Sequence, residues 1–284
     1  MDIKSFFDKD TFSYTYVVSD SNKKRAIIID PVMNFDMASG KITSKSAYDV
    51  LAYIQAGGFG VDYILETHLH ADHITAAPFF QDKLGGKMAI SEGVKNVQLV
   101  FSKVFNEGSG FKCDGSQFDV LMSDGDKFSF GNLTLKAIST PGHTPACMTF
   151  IIGDAAFVGD TLFMPDFGTA RCDFPSGNPG LLYKSIQKIL SLPDETRLFM
   201  CHDYAPGGRN FICETTVGIQ KKTNIHIKNG ISKEVFVKMR NERDAQLSVP
   251  KLLLPSVQIN MRGGKLTPCD DSGVFYLKIP VTRG

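Results

Sequence analysis

The chain has 284 residues, of which 43% are hydrophobic, enough apolar material for a sizeable core in one layered domain or two small ones. Lys and Arg number 31 against 30 Asp and Glu, a net charge of +1 with no long like-charge block, which argues against nucleic acid or an anionic membrane surface as partner. Met1 to Asp8 has no apolar signal core, and no apolar run reaches the roughly 18 residues of a membrane span, so a soluble, cytoplasmic protein is expected.

Phe12 to Val18 alternates as a strand, Asp20-Ser21-Asn22 turns, and Arg25 to Ile29 is a second strand ending at Asp30-Pro31, which together make a β-hairpin. From Ser46 to Gln55 the apolar residues Ala47, Val50, Leu51 and Ile54 recur at helical spacing, and Gly57-Gly58 stops the helix. Val61 to Leu65 reads as a buried strand. Helix is predicted over Ile74 to Leu84 and Gly93 to Phe105, with a short strand, Lys87 to Ile90, between them. The pattern then changes to a β-meander of Phe118 to Met122, Lys127 to Phe130 and Leu133 to Ser139, followed by a hairpin of Met148 to Ile152 and Ala155 to Val158. A Pro- and Gly-rich loop leads to a helix over Leu181 to Leu190 and a strand over Arg197 to Cys201. Beyond Asn229 only one helix, Lys233 to Arg243, is evident, and Pro250 to Pro255 points only to packing or oligomer contacts.

Glu66-Thr67-His68-Leu69-His70-Ala71-Asp72-His73 puts three imidazoles and a carboxylate into six consecutive positions. His68 and His70, two apart in extended chain, project to one side, and Asp72 and His73 turn inward from the start of the next helix. A lone histidine at a strand end is ordinarily satisfied by a hydrogen bond, and Asp72 alone could be a helix cap. Four clustered ligand-type side chains are costly to confine unless a cation compensates them. His143 in Thr140-Pro141-Gly142-His143, Asp160 after Gly159, and His202 after Cys201 each follow the end of another apolar strand, and convergence at strand ends is where open sheets place their sites. The sixth histidine, His226, stands among Lys221, Lys222 and Lys228 and reads as a surface residue. The six cysteines are scattered, with no C-x-x-C pair, so reduced thiols are expected.

The H-x-H-x-D-H run, the later P-G-H-T, the G-D-T and the C-H-D-Y resemble the metal loops of the metallo-β-lactamase superfamily, in unbroken order over roughly residues 12 to 225. The resemblance implies a four-layered αββα sandwich; the Asn178 to Thr196 connection and the tail after Asn229 fit compact members poorly and point to a longer subgroup, so residues 1–284 are expected as a single domain with 230–284 a C-terminal extension packed on it. Ser13-Tyr14-Thr15-Tyr16, Ile28-Ile29-Asp30-Pro31-Val32, Thr67-His68-Leu69-His70-Ala71-Asp72-His73-Ile74-Thr75, Phe157-Val158-Gly159-Asp160-Thr161-Leu162 and Arg171-Cys172-Asp173-Phe174 are similar to the persulfide dioxygenases. What that implies is one Fe(2+) per chain, a thiol persulfide such as glutathione persulfide, and O2, with sulfite and thiol released. Carried over by motif, His68, His143 and Asp160 are the iron ligands, a 2-His-1-carboxylate triad with open positions. His70, Asp72, His73 and His202 would orient ligands and waters around it. Arg171 would face the substrate, Tyr204 would line its pocket and share in catalysis, and Cys172 stands beside them where the family more often has Thr. A sulfurtransferase partner and a homodimer are compatible with the resemblance.

Arg171 has a plainer role open to it, an ion pair with Asp173. For the whole chain the alternatives are a hydroxyacyl-glutathione hydrolase of the glyoxalase II type, with two metals bridged by Asp160, and a non-enzymatic metal-binding protein on the same fold. Leu69 stands where the hydrolase family usually has a third consecutive His.

Overall fold

The computed structural model describes residues 1–267, 269 and 271–281. In the first half the strands are β1 (Asp2–Asp8), β2 (Ser13–Asp20), β3 (Arg25–Ile29), β4 (Val32–Asp36), β5 (Lys41–Thr43), β6 (Gly60–Leu65), β7 (Ile74–Thr75), β8 (Lys87–Ser91) and β9 (Val120–Met122), with helices α1 (Lys45–Gly57), α2 (Ala77–Leu84) and α3 (Val94–Val104). The second half has β10 (Lys127–Phe130), β11 (Leu133–Ser139), β12 (Met148–Ile152), β13 (Ala155–Phe157), β14 (Arg197–Phe199) and β15 (Glu214–Thr216), with α4 (Pro179–Leu190), α5 (Val217–Thr223), α6 (Lys233–Asp244) and α7 (Leu253–Asn260).

Two six-stranded sheets, ordered β1-β2-β3-β6-β8-β9 and β10-β11-β12-β13-β14-β15, lie face to face. Strands β3, β6, β8 and β9 are mutually parallel, so each needs a crossover, and α1, α2 and α3 supply them in turn. The period of two along β2 and β3 explains the layering. Tyr16, Val18, Ile27 and Ile29 point between the sheets onto Phe150, Phe157 and Phe199, while Val17, Ala26 and Ile28 point outward onto Ile54 of α1, Phe80 of α2 and Phe101 of α3. On the far side Ala156 and Leu198 meet Leu182 and Ile186 of α4 and Phe236 of α6. The result is the four-layered αββα sandwich, and each fully buried aliphatic chain in it contributes about 1.5–3 kcal/mol. Among the described residues no helix is long and apolar enough to cross a membrane.

Four sequence expectations are corrected. The expected meander is divided, because Val120–Met122 pairs parallel with β8 in the first sheet and the meander begins at β10; alternation within a strand carries no information about which sheet it joins. The helix expected from Ile74 begins only at Ala77: Ile74 and Thr75 pair with Met33 and Val32 of β4, and Pro78, suited to a first turn, marks the true start. Asp72 and His73 therefore come from a loop before a strand, not from a helix. The segment around Pro250 to Pro255 opens α7, which places Val257 in the first outer core. Finally, His226 is buried. Its Nδ1 accepts the Thr169 backbone N–H at 3.0 Å, while Lys221 pairs with Asp194 and Lys222 and Lys228 are exposed.

Two local features yield tests. Gly142 has φ +149°, and a Cβ there would lie 2.3 Å from Leu182 Cα and 2.4 Å from Leu182 N, both backbone atoms of α4. The Gly142→Ala variant should lose about 1–3 kcal/mol or more in urea unfolding, as overpacking against backbone requires. For His226, burial together with Arg240 and Arg243 pushes the pKa down to about 4. The unfolded chain then takes up this proton first as pH falls below about 6.5, so stability present above that pH is lost on the way to 4. Urea midpoints measured from pH 7 to 4.5 should fall more steeply for the wild type than for His226→Gln.

Candidate metal centre

The sheet ends bring the ligand-type residues to one place. β6 ends at Leu65 and delivers the 66–73 loop; β11 leads to His143, β13 to Asp160 and β14 to His202. His68 Nε2 and His143 Nε2 lie 3.9 and 3.8 Å from Asp160 Oδ2. These separations are too long for hydrogen bonds and suit donors that each sit roughly 2 Å from one ion. His143 Nδ1 donates to the Arg171 carbonyl at 2.8 Å, and His68 Nδ1 donates to Thr67 Oγ1 at 3.0 Å, which itself donates to Asp30 Oδ2 at 2.8 Å. Both rings are thus fixed with the Nε2 lone pair facing inward, as metal-binding imidazoles are.

His68 Nε2 and Asp160 Oδ1 are buried with no hydrogen-bond partner, and so are His73 Nε2 and His70 Nδ1. Each such atom costs about 1–3 kcal/mol if nothing compensates it. Burial, with the neighbouring imidazoles, drives the His68 pKa well below its ordinary value, so the ring is neutral, as a ligand must be. The donor set fits a divalent metal at His68, His143 and Asp160.

Asp160 also faces a second set. Its Oδ1 lies 3.4 Å from His202 Nε2, which is 3.5 Å from Asp72 Oδ2. Asp72 Oδ2 accepts from His73 Nδ1 at 2.9 Å and from Ser13 Oγ at 3.2 Å, and His202 Nδ1 faces the Phe12 carbonyl at 3.2 Å. Burial raises the pKa of Asp72, but His73 and His202 outweigh it and hold the carboxylate well below its usual range. His70 differs from the other rings. Its Nε2 is 3.0 Å from Asp30 Oδ1 and 3.3 Å from Glu66 Oε2. Burial opposes a charge on His70, yet Asp30 and then Glu66 prevail and raise its pKa well above the ordinary value.

A cavity of about 290 Å³ opens over His143, Asp160 and His202, walled by Phe163, Phe167 and Tyr204. The Tyr204 ring lies 4.6 Å from Phe167 and stacks on His202 at 5.8 Å, 14° from parallel. Arg171 lines the same cavity. Its guanidinium makes the bidentate pair with Asp173, both contacts at 2.5 Å, and donates from Nη1 to the Ser248 carbonyl at 2.8 Å. Cys172 is not among the lining residues: its thiol is turned into the apolar layer beneath α4, with Leu182 and Met164, and burial raises its pKa well above the ordinary value. The expectation that it meets substrate is therefore not met, because the alternation of the extended loop sends Arg171 and Cys172 to opposite sides. Sequence reasoning did not assign Asp30, Glu66, Ser13 or Asn260 to the site. Asp30 and Ser13 were visible as parts of shared wording, whereas Asn260 carried no signal.

A model of the metallo-beta-lactamase superfamily matches residues 8–202. A probable metallo-hydrolase of Burkholderia pseudomallei (strain 1710b) is 49% identical, covering 99% of this chain and 99% of that protein. Glyoxylase B2 of Dictyostelium discoideum is 44% identical over 98% and 96% of the two chains. The human mitochondrial persulfide dioxygenase ETHE1 is 29% identical over 94% and 90%. Among solved structures, ETHE1 from Myxococcus xanthus is similar with a TM-score of 0.74 at 28% identity, covering 93% of this chain and 100% of that one. The matched span starts at the end of β1, stops on His202 and takes in every ligand loop described above, and the chain belongs to the metallo-beta-lactamase superfamily.

Proposed function

We propose that the chain is an Fe(II)-dependent persulfide dioxygenase that oxidises a low-molecular-weight thiol persulfide, glutathione persulfide first among them. One persulfide, one O2 and one water would give one thiol, one sulfite and two protons. The observation that carries this reading is the state of His70. Its Nε2 is committed to Asp30 Oδ1 at 3.0 Å and Glu66 Oε2 at 3.3 Å, and those carboxylates raise its pKa well above the ordinary value, which disfavours the neutral ring that a metal ligand needs. That leaves His68, His143 and Asp160 as a facial triad. Iron held there by His68, His143 and Asp160 would supply the redox-active centre that O2 chemistry on a soft sulfur needs. The likeness to a persulfide dioxygenase over 94% of the chain points the same way.

The remaining residues take roles from their positions. Tyr204, Phe163 and Phe167 give the cavity an apolar wall that excludes water from the sulfur. Arg171 lies where a guanidinium can exchange part of its pair with Asp173 for the anionic persulfide, a charge-assisted contact. Asp72, His73 and His202 hold one another and orient the far side of Asp160.

A second reading, a two-metal thioester hydrolase, is favoured by the approach of His202 Nε2 to both Asp160 Oδ1 and Asp72 Oδ2 and by the glyoxylase name of one relative. There a metal-bound hydroxide would be the nucleophile.

Protein purified without air should hold about one Fe(II) per chain, and His68→Ala, His143→Ala and Asp160→Ala should each lose it. With glutathione persulfide it should consume O2 and form sulfite in equal amounts, leaving S-lactoylglutathione intact. About two zinc ions per chain with anaerobic thioester cleavage and no oxygen uptake would replace this reading with the hydrolase. Arg171→Ala should keep its iron and raise KM, corresponding to about 1.5–3 kcal/mol. An unchanged KM with lower thermal stability would confine Arg171 to its pair with Asp173.

A further inference from the structure

We propose that Asn260, on the C-terminal helix α7, is a positioning residue of the metal centre. It touches no ligand atom. Its Nδ2 donates to the His70 carbonyl at 2.9 Å and to the His73 carbonyl at 2.8 Å, and its Oδ1 accepts the Thr75 backbone N–H at 2.9 Å. An amide has two N–H bonds to give and one oxygen to receive with, so all three functions of this buried side chain are spent on one six-residue stretch that includes His70, Asp72 and His73.

The orientation of the amide follows from its partners, since Thr75 N–H can only donate and the two carbonyls can only accept. The loop is otherwise gripped from the opposite side, where Asp30 Oδ1 accepts the Thr67 N–H at 2.7 Å. Asp30 thus fixes where the loop leaves β6, and Asn260 fixes where it turns back into β7. The mount is stiff: Val257 and Met261 flank Asn260 in the outer core, and the Met261 carbonyl accepts Gln98 Nε2 of α3 at 2.9 Å. Without the amide, two buried carbonyls and one N–H lose their partners, and the loop must open to water to satisfy them. The placement of His70, Asp72 and His73 beside the three ligands would go with it, and His68, two residues before His70, would lose its fixed neighbour. The role rests on the reading that a metal binds at His68, His143 and Asp160, with the rest of this loop around it.

The test uses the full chain, stripped of metal and titrated anaerobically with Co(II), reading the visible d–d spectrum, with urea unfolding of the metal-free protein alongside. Asn260→Ala should bind Co(II) roughly ten- to a hundredfold more weakly and with an altered spectrum, the usual scale for loss of an outer partner. Asn260→Asp keeps the acceptor for Thr75 but faces two carbonyls with none of the donors, and should be at least as weak. Asn260→Ser, with one hydroxyl, should fall between and gives the answer if the other two fail to fold. Gln258→Ala is the control: two residues away on α7, its amide holds the Lys278 backbone at 2.9 and 2.8 Å, and its loss should lower stability while leaving affinity and spectrum alone. Tight wild-type binding that every Asn260 variant keeps within about twofold would overturn the role alone. A wild-type chain that takes up no Co(II) would overturn the metal centre and this role with it.

Discussion

Asp30 is the carboxylate on which the ligand geometry depends. It stands just past β3 with φ +50°, a left-handed backbone that a residue other than glycine adopts only under local demand. Because β3 and β6 are parallel, with Ile29 opposite Leu65, the residues beyond their ends are neighbours. From there Asp30 collects the Thr67 N–H, the Thr67 hydroxyl and His70 Nε2, all within 3.0 Å. One side chain therefore sets the exit angle of the loop, the orientation of His68 by way of Thr67, and the orientation of His70. Burial opposes its charge, and the His70 imidazole overcomes that and keeps its pKa below the usual range. Glu66 is the weaker partner: burial raises its pKa, and its Thr75 hydrogen bond ties it to the loop's far end.

The segment after β15 closes the other side. α6 sends a buried ion pair, Arg240 with Asp244 at 2.8 Å, against the loop that carries Arg171. Arg240 Nη1 donates to the Thr169 carbonyl at 3.0 Å, Asp244 accepts the Cys172 N–H at 2.8 Å, and His226 accepts the Thr169 N–H. Each member of that pair has a second partner, which is what makes a buried ion pair tolerable. The loop that carries Arg171 and the 66–75 loop are thus both braced by residues beyond position 223, outside residues 8–202 that the superfamily model matches.

The legibility of the sequence follows from how local each signal was. Ligand loops stood out because so many imidazoles in so few positions have no ordinary use, and the structure brings His68, His143, Asp160 and His202 together as strand-end placement required. Helices such as α1 and α4 showed themselves by period, because one face of each is buried. β1 did not, since its mostly half-exposed DIKSFFD lacks a clean alternation, and α7 was hidden by Pro255 in its first turn. Asn260 could not be placed, and His226 was placed wrongly, at the surface. Their importance comes from contacts across 185 and 57 residues, and hydrogen-bonding side chains of this kind carry no periodic mark.

Three of the six thiols lie in the shell around the ligand loops, and all three are shut away. Burial pushes Cys147 up to about 12 and raises Cys172 and Cys201 well above the ordinary value; Cys201 is further disfavoured as a thiolate by Asp30. Sulfur exchange proceeds through the thiolate, so burial disfavours the reactive form of all three side chains. On the proposed reading, the sulfur that turns over would stay on the small molecule that brings it and not pass to these three side chains.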